Sequence, residues 1–127
     1  MPGPAFAVAT ENRTGIVLVT VQGDLDIATS DELVRRVVEA VELADHGATL
    51  VLDLSDVAFA DSTGLTALVR CARLTPGHRP VLLGAGEALA SSLRSTALDA
   101  LFELRATYEI TAPHVFDLDD PSLPPAS

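Results

Sequence analysis

The chain has 127 residues, 48% of them hydrophobic, which is the length of one domain with enough apolar matter for a core and excludes a wholly disordered chain. Its apolar runs, residues 16–21, 48–54 and 81–83, fall far short of the roughly 18 residues that would suggest a membrane span. Eighteen acidic residues against eight basic ones give a net charge of −10, and with no arginine cluster beyond Arg35-Arg36 the electrostatic footprint of a nucleic-acid binder is missing.

In chain order, residues 6–9 and 16–21 are β-rich runs separated by a turn-rich spacer, residues 10–15, of hairpin type. Gly23-Asp24-Leu25-Asp26 is expected to break the second strand. Thr29-Ser30-Asp31-Glu32 matches a capping box, in which the Thr29 hydroxyl accepts a helix amide and Glu32 reaches back. The helix it opens carries Leu33, Val34, Val37, Val38, Val41 and Ala44 at helical spacing and is expected to stop at His46-Gly47. Residues 49–54 are nearly continuously apolar and β-branched, as in a strand buried on both faces. After a short link, residues 62–74 present Leu65, Leu68, Val69 and Ala72 on one helical face.

Residues 75–80 punctuate the chain, residues 81–83 form a short buried strand, and residues 87–96 a third helix. A last strand around residues 102–110, or a short helix followed by a strand, completes the domain. Strands alternating with helices predict an α/β fold: one domain over residues 1–112, a mixed β-sheet with helices packed on it. Residues 113–127 are acidic and proline-rich, contain no base, and are expected to form a disordered tail.

No catalytic, metal or cofactor site is expected. Cys71 is the only cysteine and falls in a helical pattern, where a buried inert thiol is the expectation. His46, His78 and His114 stand apart in loop-like sequence without ligand spacing. The start, Met1-Pro2-Gly3-Pro4, shows no basic region ahead of an apolar run, so no secretory signal is expected and a cytoplasmic location follows.

The sharpest local feature is Phe59-Ala60-Asp61-Ser62-Thr63-Gly64-Leu65, between a buried strand and a helix. Asp, Ser or Thr at a helix start is an ordinary N-cap. In an α/β domain, however, a strand end facing a helix start is also where functional groups are exposed. With the preceding Val51-Leu52-Asp53-Leu54, the stretch resembles the signature of STAS domains, in particular bacterial anti-sigma-factor antagonists: a D-L strand, an aromatic, then D-S-[ST]-G-L. Gly23-Asp24-Leu25-Asp26 matches a second family feature, G-[ED]-[LI]-D. Leu89, Leu93 and Ala97-Leu98 match a third and looser one, with Ala97 where glycine is usual. Thr66 also departs from the pattern, standing where a second glycine commonly follows G-L.

The resemblance implies a switch without enzymatic activity of its own. The unphosphorylated protein would bind an anti-sigma factor that is also a serine kinase of GHKL type, freeing a sigma factor that acts in transcription. Phosphorylation would fall on Ser62, with Thr63 a weaker acceptor, and a phosphatase would reverse it. The partner surface implied comprises Gly23, Asp24, Asp26, Asp61, Ser62, Thr63, Gly64 and Leu65. A phosphate adds about −1.5 to −2 charges to a patch that already holds Asp24, Asp26 and Asp61. The alternative is a STAS scaffold or small-ligand-binding module without kinase coupling. A serine nucleophile is disfavoured, because no histidine lies near the motif and a G-x-S-x-G elbow is absent.

Overall fold

The computed structural model describes residues 5–106. The expected tail, residues 113–127, His114 and residues 107–110 of the expected last strand lie outside them. The elements are β1 (Ala7–Arg13), β2 (Ile16–Leu25), α1 (Ser30–Leu43), β3 (Thr49–Ala60), α2 (Ser62–Ala72), β4 (Val81–Leu83), α3 (Glu87–Ser95), a short 3-10 helix (Leu98–Leu101) and β5 (Glu103–Arg105). They form a single α/β domain around one mixed five-stranded sheet in the order β1-β2-β3-β4-β5. β1 pairs antiparallel with β2, and every later pairing is parallel.

A strand order that advances one place at each crossover, always with the same hand, lays the connecting helices on one face. The main core agrees. Val17, Val19 and Val21 of β2, Leu50, Leu52 and Leu54 of β3 and Leu82 of β4 pack with Leu33 and Val37 of α1, Leu68 of α2 and Leu93 of α3. The period of two along each strand sends the intervening residues to the other face. There Val51, Val81 and Leu83 form a second buried cluster with Ile16 and Leu18 against it. β3 is thus apolar on both faces over residues 50–52, which is why its sequence reads as a continuous run rather than an alternation.

Several boundaries differ from the sequence expectation, each for a physical reason. β1 runs on to Arg13, so the hairpin turn is only Thr14-Gly15, with Gly15 at φ +78°. Its polar residues past Val8 are exposed on an edge strand and carry no burial pattern to reveal them. Gly23-Asp24-Leu25 does not break β2. Register shifts at Thr20/Gln22 and Gly23/Asp24 let the strand continue beside β3 as far as the Leu25–Ala60 pair. β3 likewise runs through the expected link, held by its pairing with β2 although Ser55, Asp56, Ala58 and Phe59 are exposed. α1 ends at Leu43, with Ala44 already extended, well before Gly47. Gly47 instead supplies φ +83° to the turn after the helix. α2 stops at Ala72 and α3 at Ser95. At the C-terminal end, the alternative of a short helix followed by a strand is the one observed.

Candidate functional site

The parallel strands β2 and β3 end side by side, and α1 and α2 both start from that end. Two successive carbonyls tie the helix starts together. The Leu25 oxygen accepts the Asp61 N–H at 3.2 Å, immediately before α2. The Asp26 oxygen accepts the N–H groups of Thr29 (3.2 Å) and Ser30 (2.9 Å), and the Ser30 hydroxyl at 2.6 Å. Backbone groups left over at a helix start and a strand end are thereby satisfied by each other.

The expected capping box is not formed. Thr29 occupies the N-cap of α1, but its side chain makes no cap hydrogen bond. Its hydroxyl instead donates to the Asp24 carbonyl (2.6 Å) and accepts the Asp26 N–H (3.0 Å). The Asp26 carboxylate accepts the Ala28 N–H at 2.9 Å and the Thr29 hydroxyl at 3.3 Å. The Asp26 N–H and the Asp24 carbonyl, three and five residues back in the chain, take the Thr29 hydroxyl in place of the box. Thr29 therefore clasps the connection between β2 and α1.

At α2 the local rule holds. Asp61 is extended (φ −94°, ψ −169°) and its Oδ1 accepts the Gly64 N–H at 3.0 Å, an N-cap of ordinary geometry. This fixes Ser62 as the first helical residue, and Ser62 is exposed while Thr63 is half-buried. Asp24 is exposed, and Asp26, Asp61 and Leu65 are half-buried. Gly23 and Gly64 are buried and take part as backbone. Gly23 adopts φ +102° with its Cα face against Phe6. Gly64 sits so close to Leu25 that no side chain fits between them. The residues singled out from the sequence thus come together at one end of the sheet, with Thr29 added as the residue that joins them.

Two apolar neighbours were not singled out as contact residues. Ile27 and Phe59 are exposed at this same end. Phe59 had a signal, the aromatic of the motif; Ile27 had only its position, apolar yet outside any helical or strand periodicity.

Cys71 is fully buried on α2, and burial pushes its thiol up to about 12 against the opposing charge of Arg70. His46 and His78 are exposed. Among the described residues no helix is long and apolar enough to cross a membrane.

The STAS domain family model matches residues 7–110. The chain belongs to the STAS domain family. A solved anti-sigma factor antagonist from Mycobacterium paratuberculosis is similar at 27% identity and a TM-score of 0.69, over 80% of this chain and 86% of that one. The Bacillus cell fate determinant SpoIIAA in its phosphorylated form shares the fold at 20% identity and a TM-score of 0.63, over 87% and 99% of the two chains. So does the murine anion transporter Solute Carrier 26 family member A9, at 21% identity and a TM-score of 0.62. That likeness covers 72% of this chain but only 16% of the transporter. The fold is thus shared by an anti-sigma factor antagonist and by part of a larger anion transporter.

Proposed function

We propose that this STAS domain is an anti-sigma-factor antagonist that binds an anti-sigma serine kinase of GHKL type when unphosphorylated, and is released when that kinase phosphorylates Ser62. The observation that carries the reading is the position of Ser62: exposed, first in α2, directly after a capping aspartate, at the end of the sheet that also holds Asp24 and Asp26. A side chain there can enter a kinase active site without unfolding of the domain. The helix start tolerates an added anion, because free amides and the helix dipole favour negative charge. A partner docked over the same end would meet nearly two new charges next to existing carboxylates and would lose contact. The solved relative in a phosphorylated form supports the same reading. A phosphatase restores the binding form. Gly23, Gly64 and Leu65 shape the surface, while Asp24, Asp26, Asp61 and Ser62 meet the partner; the protein acts by binding, in the cytoplasm.

The test is incubation of the full chain with purified anti-sigma serine kinases of its source organism and ATP. Tryptic cleavage after Arg36 and Arg70 yields the peptide of residues 37–70, which mass spectrometry resolves site by site. Phosphate on Ser62, its loss in Ser62→Ala, and retained kinase binding by Ser62→Ala are the expected results. Phosphate confined to Thr63, or none from kinases active on another substrate, would overturn the assignment in favour of a STAS scaffold or ligand-binding module.

A further inference from the structure

Among the described residues, the most exposed large apolar side chains are Leu43 (83%), Ile27 (81%) and Phe59 (56%). A single exposed leucine is ordinary on a protein surface, and Leu43, at the C-terminal end of α1, fits that description. Ile27 and Phe59 are different because both lie at the end of the sheet where β2 and β3 finish. Ile27 lies in the connection between β2 and α1, two residues past Leu25. Phe59 lies on β3 opposite Asp24, and Leu25 pairs with Ala60 one step further along. Both therefore lie at the end of the sheet from which α2 starts, with Ser62 as its first residue. Phe59 also walls a groove of about 230 Å³ between β3 and α3, with Val57, Leu89 and Ser92 among its other residues.

The surroundings are acidic. Asp24 lies near the end of β2, Asp26 just past it, Asp61 at the cap of α2, and Asp31 and Glu32 in the first turn of α1, while residues 14–34 and 37–69 contain no arginine or lysine. Arg70, the base nearest Ser62 in sequence, is held by Asp31 at 3.1 Å. Apolar side chains ringed by one sign of charge make a surface that excludes acidic partners and orients basic ones.

We propose that Ile27 and Phe59 are the apolar anchors of the partner-docking surface, and that the partner offers apolar pockets rimmed by lysine or arginine. The inference rests on the reading of the partner as an anti-sigma serine kinase. It adds the residues that hold that partner, since a few desolvated apolar side chains usually dominate an interface.

The experiment is calorimetric titration of the full chain with the purified kinase that phosphorylates it. Ile27→Ser and Phe59→Ser should each weaken binding by about tenfold or more. Leu43→Ser, an equally exposed site away from the surface, should bind like wild type. Amide exchange at residues 24–28 and 57–60 should slow when the kinase is bound, a readout that needs no variant. Serine variants that bind within about twofold of wild type, with no added protection at those residues, would sink the anchors and leave the partner reading standing. A comparable loss in Leu43→Ser would mean unspecific apolar association and would also overturn them. A wild-type chain that no anti-sigma kinase binds or phosphorylates would overturn the partner reading, and the anchors assigned to that partner would fall with it.

Discussion

A Cβ atom on Gly64 would stand 2.6 Å from the carbonyl oxygen of Leu25 and 2.8 Å from its Cβ. The same oxygen accepts the Asp61 N–H. The first turn of α2 is thus seated on the last residue of β2, and this contact sets where Ser62 projects. The glycine of the D-S-T-G motif is required for packing and not for an unusual φ.

Gly64→Ala should therefore destabilise the domain by about 1–3 kcal/mol, since the obstruction is backbone and cannot rotate away. Gly86→Ala is the control. Gly86 sits before α3 at φ −68° with open space around its Cα, and its change should cost less than about 1 kcal/mol. Urea unfolding of both variants decides the matter; equal losses would mean that the Leu25 contact relaxes freely.

The clasp at Thr29 gives a second expectation. Thr29→Val keeps the shape but removes a hydroxyl that both donates to Asp24 and accepts from Asp26. About 1–2 kcal/mol should be lost, the usual range for an intramolecular hydrogen bond or two. Glu32→Ala should be neutral within about 0.5 kcal/mol, because Glu32 is exposed and the box that would have used it is not formed. The reverse ranking in denaturant melts would restore the capping box.

Those two cases mark what was legible in the sequence. The order of strands and helices, the apolar face of α1, the buried run of β3 and the Asp61 cap all depend on neighbours in the chain, and periodicity or spacing reveals them. The Thr29 hydroxyl goes to Asp24 and Asp26, local partners that compete with the box, whereas the seating of the Leu25 carbonyl on the Asp61 N–H and the extension of β2 through Gly23 depend on residues far along the chain. No local pattern encodes these last two. The residues of the candidate site were legible as a set; the exposure of Ile27 and Phe59 beside them was not, since apolar residues are expected to be buried.

Ala97 carries a departure with a measurable consequence. It stands at φ +61°, ψ +16°, the left-handed region, and is the only described non-glycine residue at positive φ. That conformation costs an alanine about 1–2 kcal/mol, partly offset by the greater unfolded-state freedom of glycine. Ala97→Gly should raise stability by up to about 1 kcal/mol, and a lower melting temperature would contradict the strain.

Asp61 separates capping from charge. Asp61→Ala should lose about 0.5–2 kcal/mol of stability with its acceptor for the Gly64 N–H, whereas Asp61→Asn keeps an acceptor of the same reach. If the Asp61 charge meets the partner, the asparagine variant should be stable yet bind the kinase more weakly. Calorimetry on a variant shown to melt like wild type makes the distinction.

Burial of Cys71 predicts how stability depends on pH. The thiol is fully buried, and burial pushes it up to about 12 from the ordinary 9.0 of a free thiol. Burial favours the neutral thiol, so the folded state holds its proton where the unfolded chain has released it. The associated stability is complete below pH 9 and declines as pH rises from there toward 12. The slope should approach about 1.4 kcal/mol per pH unit, one proton being taken up on folding. Urea unfolding at pH 7, 9 and about 10.5 should show the decline in wild type and a shallower one in Cys71→Ala, whose titration lacks this proton. The comparison removes contributions that both proteins share, such as the titration of other groups. The same burial should make the thiol inert in the folded protein, so a thiol reagent at about pH 8 should react only as fast as the domain opens. Parallel decline in both proteins, or prompt labelling of native Cys71, would place the thiol outside the core.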